Sequence, residues 1–460
     1  MYVGRILKAV SLGVLLAGGV YGAASQSKPN IVLFFVDDLG WADCNYRNST
    51  IFETPNIDAL ARGGIDFEQA YIASPCCSAS RATLLTGKHP ARLKMVRHTY
   101  GSSKVAKPIY DENGRASHHL WLSDPAQFPS KNWVDLDQVT YAEALKELGY
   151  YNLFLGKWHV GHEEHHPVKQ GFDRQIGTTN QGNPSNYYPD YFNTSDVFSN
   201  EKEQYLTDKL TDEAVDFIKG YDKSQPFMMS FWYYNVHTPH IGRKDLVKHF
   251  KAKGLAGKQA EYAAMVASVD ESIGRVREAL QEKEIDQETI VILLSDQGGY
   301  FENPPFHGNK HNDTLYEGGA RVPFFFNWPG VTKVGAVNSS VVQSTDLFPT
   351  LVEIAGGDIS KYAELDGVSL VSTIRGNCEL NRGAPVYGYR AYEDLYLSVR
   401  EGDWKLLAYR SGIVKLYNIA EDIREQNDLA SSRSDIVNKL KKKAVLWEHE
   451  MGVQQYSGLK

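Results

Sequence analysis

A chain of 460 residues, 42% of them hydrophobic and 12% aromatic, buries a large core, which excludes a disordered or fibrous protein. Four cysteines make no disulfide scaffold, and a core of this size needs none. The formal charge of -7 excludes a generally basic surface of the nucleic-acid-binding kind, while leaving room for a local cationic pocket.

Residues 1–24 read as a signal peptide. Arg5 and Lys8 give a positive start, Val10 to Val20 is an uncharged, mostly apolar run, and Gly22-Ala23-Ala24 supplies small residues for cleavage. The run falls short of the ~20 apolar residues that a membrane span needs. No cysteine follows the small residues to carry a lipid anchor. The expectation is export to the periplasm or the medium, a mature chain starting near Ser25, and no membrane attachment after cleavage.

From Lys28 the chain alternates strand-like and helix-like segments. Ile31 to Val36 is an unbroken apolar run, as a strand buried on both faces requires. Thr140 to Leu148 reads as a helix and Asn152 to Leu155 as a strand; Thr211 to Ile218 is helical and Phe227 to Tyr234 a strand. Met265, Val269, Ile273, Val276 and Leu280 recur along one helical face, and Thr289 to Leu294 is another buried strand. This alternation predicts an α/β sandwich around a large, mostly parallel central sheet flanked by helices. In such sheets active sites gather at the carboxyl ends of the strands.

Tyr100 to Trp133, rich in His, Ser and Pro, reads as a loop. In the tail, Tyr396 to Val399, Trp404 to Leu407 and Lys415 to Tyr417 are short strands separated by turns. Ile436, Leu440, Ala444 and Trp447 then trace a closing helix. The domains expected are a catalytic one over 25–370 and an α+β subdomain over 371–460, built as a small antiparallel sheet with one helix.

Asp37-Asp38 directly follows the first buried strand, and Asp296-Gln297 follows the Leu293-Leu294-Ser295 strand end. Oxygen donors of this kind suit Ca²⁺ or Mg²⁺, whereas Zn²⁺ asks for nitrogen or sulfur. Either pair alone equally fits the ordinary start of a loop. The sharper signal is Cys77-Ser78-Ala79-Ser80-Arg81, which runs into Leu84-Leu85-Thr86-Gly87 on a helix expected to start near Ser80.

This run resembles the sulfatase signature. The match falls on Cys77 rather than Cys76, because only Cys77 has Ala two residues later and Arg four later. The likeness continues in the order of the family's motifs. Asn30 through Gly40 is similar to the first metal-binding strand, and Gly156 to Gly161 to a lysine–histidine pair. Pro226 to His240 resembles the strand that delivers a distal histidine, and Leu293 to Gly298 the second metal strand. Tyr316 to Pro323 is similar to a Glu-Gly-Gly turn, and Leu416-Tyr417-Asn418 to a carboxy-terminal strand.

The resemblance implies an alkaline phosphatase-like fold and a sulfuric ester hydrolase. It implies Cys77 oxidised to formylglycine, and a divalent cation, Ca²⁺ or else Mg²⁺, held by Asp37, Asp38, Asp296, Gln297 and the modified Cys77. It makes Arg81, Lys157 and Lys310 the fixed cations and His159 and His237 the proton carriers. One hydroxyl of the hydrated aldehyde takes the sulfuryl group, with His237 protonating the departing alkoxide and Lys310 beside it. The second hydroxyl, deprotonated by His159, then expels sulfate and restores the aldehyde.

Two departures from the family pattern stand out. Gln297 occupies a place more often taken by Asn or His, and Lys310 lies seven residues before Glu317 instead of about five. Ala79, where many members carry Pro, points to a radical-type maturase as partner. Export suggests a sulfated polysaccharide or its oligosaccharides as substrate. Two other readings remain: a phosphate or phosphonate ester hydrolase on the same fold, and a catalytically silent carbohydrate-binding relative.

Overall fold

The structure, a computed structural model, describes residues 1, 28–101, 106–193, 197–198, 203–376 and 378–459. Apart from Met1, the leader expected over 1–24 lies outside the described residues. Among those described, no helix is long and apolar enough to cross a membrane.

An eight-stranded sheet forms the centre, in the spatial order Ala336–Gln343, Ile65–Tyr71, Phe324–Asn327, Thr289–Ser295, Asn30–Val36, Phe227–Trp232, Tyr151–Gly156 and Arg174–Ile176. Neighbouring strands run parallel except at Phe324–Asn327, which opposes both of its neighbours. The apolar run after Asn30 explains its central place. Ile31, Leu33 and Phe35 enter the core on one face, and Val32, Phe34 and Val36 the core on the other. Helices cover both faces. Gly257–Glu282 buries Met265, Val269, Ile273, Val276 and Leu280 on one side. On the other, Tyr141–Glu147 starts at a capping box, in which Thr140 and Glu143 each bond the other's backbone N–H.

A second sheet follows, an antiparallel meander of Val386–Tyr389, Leu395–Glu401, Trp404–Tyr409 and Val414–Asn418. Leu440, Ala444 and Trp447 of the helix Ser434–Glu450 pack into its core.

Two expectations are corrected. Tyr100 to Trp133 is not simply a loop, because Ala106–Tyr110, Ala116–Trp121 and Ser130–Lys131 form a three-stranded antiparallel sheet. Asp111 turns the hairpin, its Oδ1 accepting from the N–H groups of Asn113 and Arg115, with Gly114 at φ 75°. The signature helix begins at Cys77, not near Ser80, and runs to Thr86. Cys76 is its extended N-cap, and Gly87 at φ 65° ends it, where a Cβ would meet Phe348 at 2.8 Å.

Candidate active site

Four adjacent strands end at one place. Thr289–Ser295 leads into Asp296 and Gln297, Asn30–Val36 into Asp37 and Asp38, and Tyr151–Gly156 into Lys157 and His159. Phe227–Trp232 reaches His237 after a short extension. Register fixes the convergence. Val36 pairs with Ser295, Asp37 N–H donates to Asn235 O at 3.0 Å, Val236 N–H to Asp37 O at 2.7 Å, and Lys157 N–H to Trp232 O at 2.9 Å. Asp38 and His159 adopt left-handed backbone, φ 60° and 58°, a conformation costly for non-glycine residues and common at functional sites.

The helix Cys77–Thr86 brings its first residue to this point, where the unpaired N–H groups of a helix start favour an anion. Cys77 Sγ lies 3.6 Å from Asp37 Oδ1 and accepts from Gln297 Nε2 at 3.1 Å. Gln297 Nε2 also donates to Asp38 Oδ1 at 2.6 Å, so a half-turn of the amide presents Oε1 at the same place. Arg81 packs beside the Phe35–Trp232 ring pair, 5.3 Å from each centroid. From there it meets Asp37 at 3.3 Å and Asp296 at 3.2 Å, and donates to Lys157 O at 2.7 Å. Lys157 Nζ pairs with Asp37, and Lys310 Nζ with Asp38. His237 Nε2 lies 4.0 Å from Asp38, while its Nδ1 is held at 2.7 Å by the Thr238 carbonyl. The structure thus gathers every predicted site residue, with Asp37, Asp38, Cys77, Arg81, Lys157 and Asp296 wholly buried.

Three buried carboxylates face three cations, of which only Lys310 reaches the surface, and the charge balance decides the protonation states. Burial pushes the Asp37 carboxyl up, but Lys157 and Arg81 outweigh it and hold it well below the usual range. Burial, followed by Asp37, lifts Asp296 to about 7, and burial also raises Asp38. The Cys77 thiol is driven well above its ordinary value by burial and next by Asp37. His159 and His237 are kept neutral by burial, helped by Lys157 and by Lys310 respectively. Oxygens of Asp37, Asp38 and Asp296 lie within 4.8 Å of one another, and Cys77 and His237 approach Asp37 equally closely. The three carboxylates suit a hard divalent cation.

Sequence reasoning missed the surroundings of His159. The His98 ring stacks on it with centroids 5.9 Å apart, and Gly182 lies so close that a Cβ there would sit 2.3 Å from its Nε2. His98 belongs to the segment after the signature helix, where Thr99 N–H donates to Ser78 Oγ at 3.1 Å. Neither residue carries a spacing signal, since only tertiary contact brings it to the site.

A sandwich with this sheet order and a buried carboxylate–cation cluster at its carboxyl edge has the alkaline phosphatase-like fold. The chain belongs to the sulfatase family, whose pattern residues 29–357 match. Residues 307–450 match the C-terminal region of N-sulphoglucosamine sulphohydrolase. The N-acetylgalactosamine-6-sulfatase of Canis lupus familiaris is 30% identical over 421 residues, covering 85% of this chain and 74% of that protein. A sulfatase of Formosa agariphila is 28% identical over 96% of this chain and 92% of its own length. The crystal structure of Ps i-CgsB in complex with k-i-k-neocarrahexaose superposes with a TM-score of 0.79 at 30% identity, covering 93% of this chain and 94% of that one. The protein is a sulfuric ester hydrolase.

Proposed function

We propose that this enzyme is exported and removes sulfate from a sulfated polysaccharide or its oligosaccharides. It does so with a formylglycine made from Cys77 and a divalent cation, Ca²⁺ or Mg²⁺. The observation that carries this reading is the buried cluster around Cys77 Sγ, in which three carboxylates and three cations balance. Burial and the Asp37 carboxylate disfavour a thiolate at Cys77, which supports conversion of the thiol to another nucleophile. Formylglycine, when present, supplies two geminal hydroxyls, one to take the sulfuryl group and one to release it. Asp37, Asp38, Asp296 and Gln297 would hold the cation, which supplies Lewis-acid polarisation and the surplus positive charge that an anionic ester needs.

The chain's own residues carry the remaining work. Arg81, packed beside two rings, and Lys157 keep positive charge beside position 77 in a buried setting, where it acts most strongly on developing negative charge. His159, held neutral, accepts the proton of the second hydroxyl. His237 hands a proton to the leaving alkoxide from Nε2, and Lys310 stands at the same Asp38 carboxylate. The anionic ester itself favours the protonated His237 that this step requires.

The polysaccharide reading is supported by relatives named for a sulfated amino sugar and a neighbour solved with a carrageenan oligosaccharide. We assign residues 25–370 to the catalytic domain, 371–460 to the subdomain, and maturation to a radical-type enzyme that accepts Ala79. Sulfate release from a panel of defined carrageenan, ulvan and glycosaminoglycan oligosaccharides, run beside the matching phosphate esters, tests the reading. Phosphate release with no sulfate release would overturn it in favour of a phosphoesterase.

A further inference from the structure

On one wall of the site, aromatic rings and guanidinium groups alternate. The Arg97 guanidinium carbon lies 4.2 Å from the Trp121 ring centroid and 4.1 Å from that of Tyr392, and Arg390 takes the next place, 4.6 Å from Tyr392. The ladder joins three separate parts of the chain: the hairpin sheet, the segment after the signature helix, and the turn between the first two strands of the second sheet.

The two arginines differ in what they have left to offer. Asp124 accepts two bonds of 2.8 Å from Arg97 and neutralises it within the wall. Arg390 is 8% exposed. Its Nη1 donates to the carbonyl of Pro75, two residues before Cys77, and Glu393 Oε1 lies 2.7 Å from Nε. Its Nη2 has no hydrogen-bond partner among the described residues. Glu393 is a weak competitor, 31% exposed and shared with Thr314.

The charges nearest His98 are mostly cationic. His98, stacked on His159, is held neutral first by burial and then by Arg390, Lys310, Arg97 and Lys157, so the charges that act on it most are all cationic. Arg390 also acts on His311, on the stretch that carries Lys310. Through Pro75 it stands over the backbone that leads into Cys77, whereas Arg81, Lys157 and Lys310 are already matched to carboxylates.

We propose that Arg390 binds a second anionic group of the substrate, a sulfate or carboxylate on a sugar beside the ester being cleaved, so that the enzyme selects chains carrying neighbouring anions. This rests on the sulfatase reading above. A guanidinium with a free edge in a low-dielectric wall is suited to an oxyanion, and the stacking on Tyr392 fixes its plane without consuming that edge.

The test measures binding, so it does not depend on turnover. Full-length Cys77→Ala protein is titrated with carrageenan, ulvan and glycosaminoglycan oligosaccharides, each offered with one sulfate and with a neighbouring sulfate or carboxylate added. We expect the doubly anionic partner of the matching sugar to bind roughly tenfold tighter or better. Adding Arg390→Gln, which keeps a donor for Pro75, should bring the ratio close to one. Adding Glu393→Gln, which removes the competitor, should widen it, and this arm decides the matter if Arg390→Gln does not fold. The separate sulfate and carboxylate partners show which anion the site takes. A preference that survives Arg390→Gln, a narrower ratio in Glu393→Gln, no preference at all, or no binding of any oligosaccharide overturns the proposal. Sulfate release by the mature wild-type enzyme is measured separately, and its absence would sink the sulfatase reading while the affinity ratio still decides the role of Arg390.

Discussion

His159 and His237 are both neutral in the resting site, yet they sit in different company. His237 is tethered through Nδ1 to a carbonyl and turns Nε2 toward Asp38, whereas His159 is packed between His98 and Gly182. A proton donor matters in proportion to how badly the leaving group needs it. We therefore expect His237→Ala to lose about 10²–10⁴-fold in kcat on sugar sulfates but much less on an activated aryl sulfate. His159→Ala should instead show a burst followed by slow turnover on the aryl substrate. Identical losses for the two variants on both substrates would refute the division of roles. Gly182→Ala should resemble a mild His159 variant, because the added methyl displaces the ring without removing it. Among the acidic residues, Asp37→Ala and Asp296→Ala should cost more activity than Gln297→Ala, since only the first two remove charge from the cation site. Equal small losses for all three would place the cation elsewhere.

Where the second sheet meets the Glu317–Ala320 turn, a buried ion-pair network lies beside an apolar cluster. Lys405 reaches from the strand Trp404–Tyr409 to Glu317 at 2.8 Å and to Glu425 at 2.9 Å. Glu317 also accepts from Tyr71 at 2.7 Å and pairs with Arg321 at 3.2 Å, while its N–H donates to Glu425 at 2.7 Å. Burial pushes Glu317 up, yet Lys405 and Arg321 hold it at about 2. Burial lifts Glu425 to about 7 despite Lys405, with Glu317 adding to the rise. The signs are opposite. Glu317 stabilises the fold fully above its unfolded pKa of 4.5, and this is lost as pH falls toward 2. Glu425 binds an extra proton in the folded state between 4.5 and 7, so its part of the stability falls as pH rises through that window. Denaturant unfolding at pH 5 and pH 8 should therefore show Glu425→Gln gaining on wild type by about 2 kcal/mol between the two. Glu317→Gln should destabilise by ~3 kcal/mol at both, because it leaves Lys405 and Arg321 underpartnered. A pH-independent difference between wild type and Glu425→Gln would disprove the assignment.

At this scale the legibility of the sequence was uneven for a physical reason. Segments buried on both faces, such as Ile31 to Val36 and Thr289 to Leu294, announce themselves because every position must be apolar. Ile65–Tyr71 carries Asp66, Glu68 and Gln69 within a strand, its polar positions satisfied by Arg47, Ser339 and Arg400, so no run or clean alternation marks it. The hairpin around Asp111 and Gly114 was hidden by histidines and serines, although its turn residues were on view. The aspartates, Gln297, Lys157 and the two histidines were readable as motifs after core strands and Cys77 and Arg81 as a signature run, whereas His98, Gly182 and Arg390 are brought near only by tertiary contact.

For the whole molecule, a bound cation should be coupled to folding. Ligands that prefer the native state stabilise it by mass action, and three buried carboxylates are gathered only in the native state. Chelation should abolish activity and lower the unfolding temperature, and Ca²⁺ should restore both. A chelator that leaves melting and turnover untouched argues against a resident divalent ion. Mass spectrometry of active enzyme should show Cys77 about 18 Da lighter than the thiol, as conversion to the aldehyde nucleophile requires. Cys77→Ala should fold and be inert. Coexpression with a radical maturase should raise the converted fraction and the activity together, more than an oxygen-dependent maturase that demands proline.

The burial of Cys77 also imposes an order in time. Its side chain is 0% exposed, and its backbone is the first turn of a helix whose ten residues are all buried. Once the chain has closed, no second enzyme can reach that sulfur without unfolding the helix from the core. On the reading proposed above, maturation and folding compete for the same nascent segment, and a molecule that folds first stays unconverted for as long as it stays folded. Adding an active maturase to purified, folded, unmodified protein should convert almost none of it. The same treatment applied during refolding from denaturant, or to a peptide spanning residues 70–90, should convert a large share. Efficient conversion of the folded protein would mean that the signature helix opens readily in the native state.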